Sequence, residues 1–85
     1  IKYVYNNRGW VWQSKADYEK AIKDYYAALK VDPAFAPSYY GRASAYYKSG
    51  NLDRAVEDAK EALRLDPETK KYDDLLFELK AKMKK

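Results

Sequence analysis

The sequence predicts an all-α fold of stacked helical hairpins, five helices in one domain, and three observations predict it. The first is self-similarity: shifted by 34 residues, the stretch Tyr39 to Pro67 nearly overlays Tyr5 to Pro33. Identity holds at Tyr5/Tyr39, Arg8/Arg42, Ala21/Ala55, Asp24/Asp58, Ala28/Ala62, Leu29/Leu63, Asp32/Asp66 and Pro33/Pro67. A fixed period of this size marks repeated supersecondary units that stack on one another. The second observation is apolar spacing of the helical kind in both copies, and the third is an Asp-Pro stop at the end of each.

Each element follows from its own residues. From Lys2 to about Lys15, Tyr5, Arg8, Gly9 and Trp12 share one helical stripe, which predicts a first helix. Ala16-Asp17 breaks it, and the Asp17 carboxylate is placed to cap the next. A second helix over 17–31 gathers Tyr18, Ala21, Ile22, Tyr25, Ala28 and Leu29 on one face, and Asp32-Pro33 ends it. Pro37 opens a third helix over 36–48, where a missing backbone donor costs little, and Ser49-Gly50-Asn51 turns the chain. The fourth, 51–65, repeats the second with Leu52, Ala55, Val56, Ala59, Ala62 and Leu63. After Pro67 the repeat fades, but Tyr72, Leu75, Leu76, Leu79 and Met83 form one more stripe, predicting a terminal helix over 68–83 that covers the second hairpin. The expected organisation is thus one domain: residues 2–35, then 36–69, then a capping helix within 70–85.

Composition excludes several functions. The 85 residues hold no Cys and no His, so thiolate and imidazole sites for zinc, haem, iron-sulfur or a His-based triad lack their donors, and no cofactor or metal is expected. Serines stand without a base and no glycine-rich phosphate loop is present, so no catalytic residues are assigned. Apolar runs are too short for a membrane span, and no signal-peptide pattern precedes the first repeat. Ile1 in the place of an initiator Met suggests an excised or processed piece. Of the net charge of +4, residues 70–85 carry most, six lysines against Asp73, Asp74 and Glu78, and the body is a mixed-charge surface. That is not a nucleic-acid footprint; the lysine-rich end reads as a solvated helix terminus.

Tyr5-x2-Arg8-Gly9-x2-Trp12, Ala21-x3-Tyr25 and Pro33, then Tyr39-x2-Arg42-Ala43-x2-Tyr46, Ala55-x3-Ala59 and Pro67, resemble the tetratricopeptide repeat. The resemblance covers essentially the whole chain. It implies a short right-handed superhelix whose concave side, lined by the first helix of each repeat, holds a peptide or another protein. Members that bind chaperone tails use a clamp of Lys and Asn residues plus an Arg, and the matching positions here are Asn6, Trp10, Gly41, Lys71 and Leu75. Only Lys71 fits, so acidic chaperone tails are not a favoured ligand. Where the family usually has leucine, this chain has Arg8 and Arg42.

Three groups of residues follow. Arg8 and Arg42 each need an anionic partner at a helix seam, and Asp24 and Asp58 recur with them, so structural ion pairs are expected, with the pairing open. Tyr3, Asn6, Trp10, Gln13, Tyr40, Ser44, Tyr47 and Lys71 are assigned to the concave, protein-binding face; Trp10 and Tyr47 are amphipathic groups of the kind enriched at hot spots. Finally, Ile1, Val4, Arg8, Trp10 and Val11 are assigned to a self-association face, because Val4 and Val11 stand where the second repeat has Ser38 and Ala45. The expected assembly is a homodimer or small ring, with two-fold symmetry favoured; the alternative is a monomeric module that binds a peptide or partner protein in the concave groove, or a fragment of a longer array whose missing neighbour covered this edge. The expected partners are a protein or peptide and another copy of the chain, with no nucleic acid and no membrane.

Overall fold

A computed structural model describes residues 1–84. Its helices are α1 (Lys2–Ser14), α2 (Tyr18–Val31), α3 (Ala36–Lys48), α4 (Leu52–Leu65) and α5 (Lys70–Met83), and no strand occurs among the described residues. The boundaries are tighter than the apolar stripes suggest, because the residues at several ends act as caps. Asp17 accepts from the Lys20 amide at 3.2 Å and Asn51 from the Arg54 amide at 3.2 Å. Each therefore stands just outside its helix. Thr69 instead turns its hydroxyl back to Asp66 Oδ2 at 2.6 Å, which belongs to the turn and delays α5 to Lys70.

The two hairpin turns share one geometry. The Ala16 amide donates to the Gln13 carbonyl and the Asp17 amide to the Trp12 carbonyl, each at 2.9 Å. Gly50 and Asn51 repeat this on Tyr47 and Tyr46 at 3.0 and 2.8 Å. This is the Schellman arrangement, which needs a residue with positive φ. Gly50 adopts φ 94° and Ala16 adopts φ 63°, a conformation that a Cβ disfavours.

Packing is close because alanine lines the seams. Ala21, Ala28, Ala43, Ala45, Ala55, Ala59 and Ala62 are fully buried. Into the junction of the hairpins goes Tyr25, the largest fully buried side chain. A Cβ added at Gly9 would lie 2.5 Å from its ring and one at Gly41 would lie 2.6 Å away, so both glycines are the space the ring occupies. The helices pack in sequence, with α2 between α1 and α3, and α5 laid against α4 through Leu76 and Leu79. α1, α3 and α5 are neighbours in a row on one side.

Candidate functional site

The row of α1, α3 and α5 carries a strip of aromatic rings. Trp10 of α1 lies 6.1 Å from Tyr40 of α3, and Tyr40 lies 5.1 Å from Tyr72 of α5, ring centre to ring centre. Trp10 also meets Tyr25 edge-on at 6.0 Å, so the buried wedge is its floor. Exposure falls along the strip: Trp10 is 37% exposed, Tyr40 half-buried and Tyr72 buried. Above Tyr40 sits the Lys71 ammonium, 5.1 Å from the ring centre. A face of this kind can take apolar or planar groups, with one ammonium beside it. Further along, the Tyr47 hydroxyl donates to Glu78 Oε2 at 2.8 Å, and this bond with the anion raises its pKa. Tyr3 stands apart, edge-on to Phe35 at 5.2 Å, next to the Lys2–Asp32 ion pair.

Three of the residues assigned to the binding face are tied up between α1 and α3, and one of them, Gln13, is buried there. Gln13 is 4% exposed; its Oε1 accepts from the Tyr25 hydroxyl at 2.9 Å and its Nε2 donates to Ser44 Oγ at 2.8 Å. Asn6 Oδ1 accepts from Ser38 Oγ at 2.8 Å. Asn6, Gln13 and Ser44 therefore stitch α1 to α3, Gln13 as a buried group that must be paired and Asn6 and Ser44 half-exposed beside it. Trp10, conversely, is not part of the edge that carries Val4 and Val11. At roughly 100° per residue it lies about 120° round α1 from Val4, on the side of the aromatic strip.

The arginine forks are both filled, each from within its own hairpin. Arg8 donates through Nε and Nη2 to Asp24 at 2.8 Å each, and Arg42 does the same to Asp58 at 2.8 and 2.9 Å. Both pairings raise the arginine pKa, first through the hydrogen bonds to the aspartate. Their settings differ. The Arg42 side chain is 19% exposed, under a wall made by Ile22, Lys23 and Tyr26 of α2 beside a cleft of about 390 Å³. Arg8 is 56% exposed, so its stem is not buried as its position in the repeat suggests. The same cleft recurs there at about 210 Å³, lined by Arg8, Trp12, Lys20, Lys23 and Asp24 without that wall.

Two exposed aromatics escaped the sequence analysis. Tyr26 is 54% exposed and Phe77 is 77% exposed. Phe77 stands where the period has Gly9 and Ala43, a substitution large enough to have drawn notice. Among the described residues no group of His, Cys, Asp and Glu could hold a metal ion, and no helix is long and apolar enough to cross a membrane.

The tetratricopeptide repeat family model matches residues 3–35 and 36–69. Protein unc-45 homolog B of Danio rerio is 31% identical over 94% of this chain, which corresponds to 9% of that protein. Among solved structures, the myosin chaperone UNC-45 from C. elegans, in complex with a Hsp90 peptide, superposes with a TM-score of 0.90 at 36% identity, covering 99% of this chain and 10% of that one. The first TPR of Spaghetti (RPAP3), bound to HSP90 peptide SRMEEVD, reaches a TM-score of 0.96 over 100% of this chain and 68% of that one. Its 18% identity speaks to the fold alone. The chain spans 9 and 14% of the length of the first two curated relatives it matches.

Proposed function

Because this chain belongs to the tetratricopeptide repeat family, we propose that it holds an extended segment of a partner protein along the face of α1, α3 and α5. It is a non-catalytic interaction module, and the observation that carries the groove reading is the strip of Trp10, Tyr40 and Tyr72 with the Lys71 ammonium over it. An exposed tryptophan seated on two other rings loses little side-chain freedom on binding, which is what an anchor requires. The UNC-45 structure, which is in complex with a Hsp90 peptide, supports peptide binding as the kind of function.

The preferred segment differs from an acidic tail. Of the positions that match the family's clamp, Asn6 is bonded to Ser38, Leu75 is half-buried against the core, and Gly41 is closed by the Tyr25 ring. Only Lys71 offers an ammonium, so the apolar strip selects bulky side chains ahead of carboxylates. Selection from a random peptide library, followed by fluorescence titration in a Trp12→Phe background, tests this. Selected peptides should carry an aromatic or large aliphatic residue, lose at least tenfold in affinity with Trp10→Ala, and outcompete SRMEEVD. Binding indifferent to Trp10 and Tyr40 would refute it.

A second reading, self-association through the exposed edge of α1, is favoured by burial at matched positions. The third and tenth residues of α3 are Ser38 and Ala45 and those of α5 are Tyr72 and Leu79, all at 3% exposure or less. Their α1 counterparts Val4 and Val11 are 60 and 51% exposed, with Ile1 at 73%. Apolar groups at positions that a neighbouring helix covers twice elsewhere in the chain favour a covering partner here. Light scattering at high micromolar concentration decides it; a monomer there would exclude this reading and leave the groove reading intact.

A further inference from the structure

The face of α1, α3 and α5 is rich in hydrogen-bond donors and poor in free acceptors. Asn6 Oδ1 accepts from the Ser38 hydroxyl, so the Asn6 amide nitrogen keeps its hydrogens with no acceptor among the described residues, and that nitrogen reaches solvent. The Trp10 indole N–H, on a ring 37% exposed, and the Lys71 ammonium above Tyr40 also meet no acceptor among the described residues. Indole and ammonium can only donate. The carboxylates one and two turns along α5 from Lys71 are engaged: Asp74 accepts from Lys70 at 3.0 Å and Glu78 from the Tyr47 hydroxyl at 2.8 Å. The hydroxyls of Tyr40 and Ser44 can act either way. A ligand that fits this face brings carbonyl oxygens, has few N–H groups to satisfy, and lays apolar carbon on the rings of Trp10 and Tyr40.

Backbone conformations differ in what they offer to such a face. A helix closes its carbonyls on its own amides, so it would leave the three donors to water. A flexible extended chain has free carbonyls, but it brings as many N–H groups and loses its conformational freedom when it binds. A proline-rich chain in the polyproline II helix has no internal hydrogen bonds, so every carbonyl is free, and it has no N–H at each proline. Its backbone is already set near one shape before binding. Segments of this kind dock in aromatic-lined grooves for these reasons.

We propose that the segment held along α1, α3 and α5 is a polyproline II helix, with prolines flanking the bulky side chain that Trp10 and Tyr40 receive. Its carbonyls accept from Trp10 Nε1, Lys71 Nζ and the Asn6 amide. This deepens the groove reading and rests on it, and it names the residue class and the backbone shape of the partner segment. Asn6, engaged on one side by Ser38, serves the ligand with the other.

Two blocked, uncharged octapeptides, PPLPPLPP and GGLGGLGG, test the inference by isothermal titration calorimetry. Both carry leucine at the same positions, and they differ in backbone stiffness and in the number of N–H groups. The proline peptide should bind about tenfold more tightly, or better. Trp10→Phe, which keeps a ring and deletes the N–H, should weaken it by about two- to tenfold, and Lys71→Met by a similar factor. Both residues are exposed, so circular dichroism should show unchanged helix content. If the glycine peptide binds as tightly as the proline peptide and Trp10→Ala abolishes both, the polyproline inference is overturned and the groove reading stands. Proline-peptide binding that is unchanged by Trp10→Phe and by Trp10→Ala puts the contact elsewhere and overturns it as well. Should neither peptide bind, the inference falls, and the library selection decides separately whether the groove is used.

Discussion

Replacing Ala16 with glycine should stabilise this protein, and replacing Gly50 with alanine should destabilise it by a similar amount. Both residues close a hairpin turn of one geometry, with φ 63° at Ala16 and 94° at Gly50. An L residue in the left-handed region costs about 1–2 kcal/mol relative to the right-handed one. Glycine returns about 0.4–1 kcal/mol of that by widening the unfolded ensemble. The difference leaves about 0.5–1 kcal/mol in favour of glycine at either turn. No packing term intrudes, because Ala16 is exposed and a Cβ at Gly50 would meet nothing within 4 Å. For a domain of this size about 1 kcal/mol moves the melting temperature by about 4–8 °C. Thermal melts by far-ultraviolet circular dichroism should place Ala16→Gly above the parent and Gly50→Ala below it, with the double exchange returning close to the parent. An Ala16→Gly variant that melts at or below the parent temperature would refute the turn argument.

Three further outcomes are expected. Arg42→Met leaves Asp58 at the seam without its partner and should cost about 2–3 kcal/mol in urea titration, whereas Arg8→Met, at the solvated edge, should cost clearly less. Gly41→Ala should destabilise by about 1–2 kcal/mol in the same assay, although helix propensity alone favours alanine by about 1 kcal/mol, because the new Cβ meets the Tyr25 ring; a gain in stability would show that the ring yields. Burial, with Asp24 nearby as the smaller cause, pushes the Tyr25 hydroxyl well above its ordinary value. A folded pKa raised above the unfolded one of about 10 means that this contribution is intact below pH 10 and is lost as pH climbs through and beyond it. Alkaline melts should therefore fall more steeply for the parent than for Tyr25→Phe, and parallel curves would count against the assignment.

Most of the architecture was legible because it rests on local rules. Apolar spacing, the Asp17 and Asn51 caps and the two Asp-Pro stops are read from neighbours within one helical turn, and the helices begin and end within two residues of those signals. The arginine-aspartate recurrence was visible too, but which aspartate serves which arginine depends on how the helices of a hairpin cross. The face of α1 was the harder problem. One residue is about 100° of helix, so Gln13, which looks like a groove residue by offset, lies in the seam with Ser44 and Tyr25. Phe77 breaks the period, standing where it has Gly9 and Ala43, but its exposure became evident only once α5 had been placed on α4.

The Tyr25 wedge bears on how the molecule unfolds. Repeat proteins behave as chains of units, each with its own stability and a coupling to its neighbour, and cooperativity survives only while the coupling is large. Here much of that coupling is gathered in one ring that belongs to the first hairpin, fills the space left by Gly41 in the second, and ties Gln13 and Ser44 into one hydrogen-bonded relay. While it stays seated, neither hairpin can open without uncovering the other, and the chain melts as one body. Truncating it to alanine would convert a single transition into two, with the hairpin capped by α5 outlasting the one that is not.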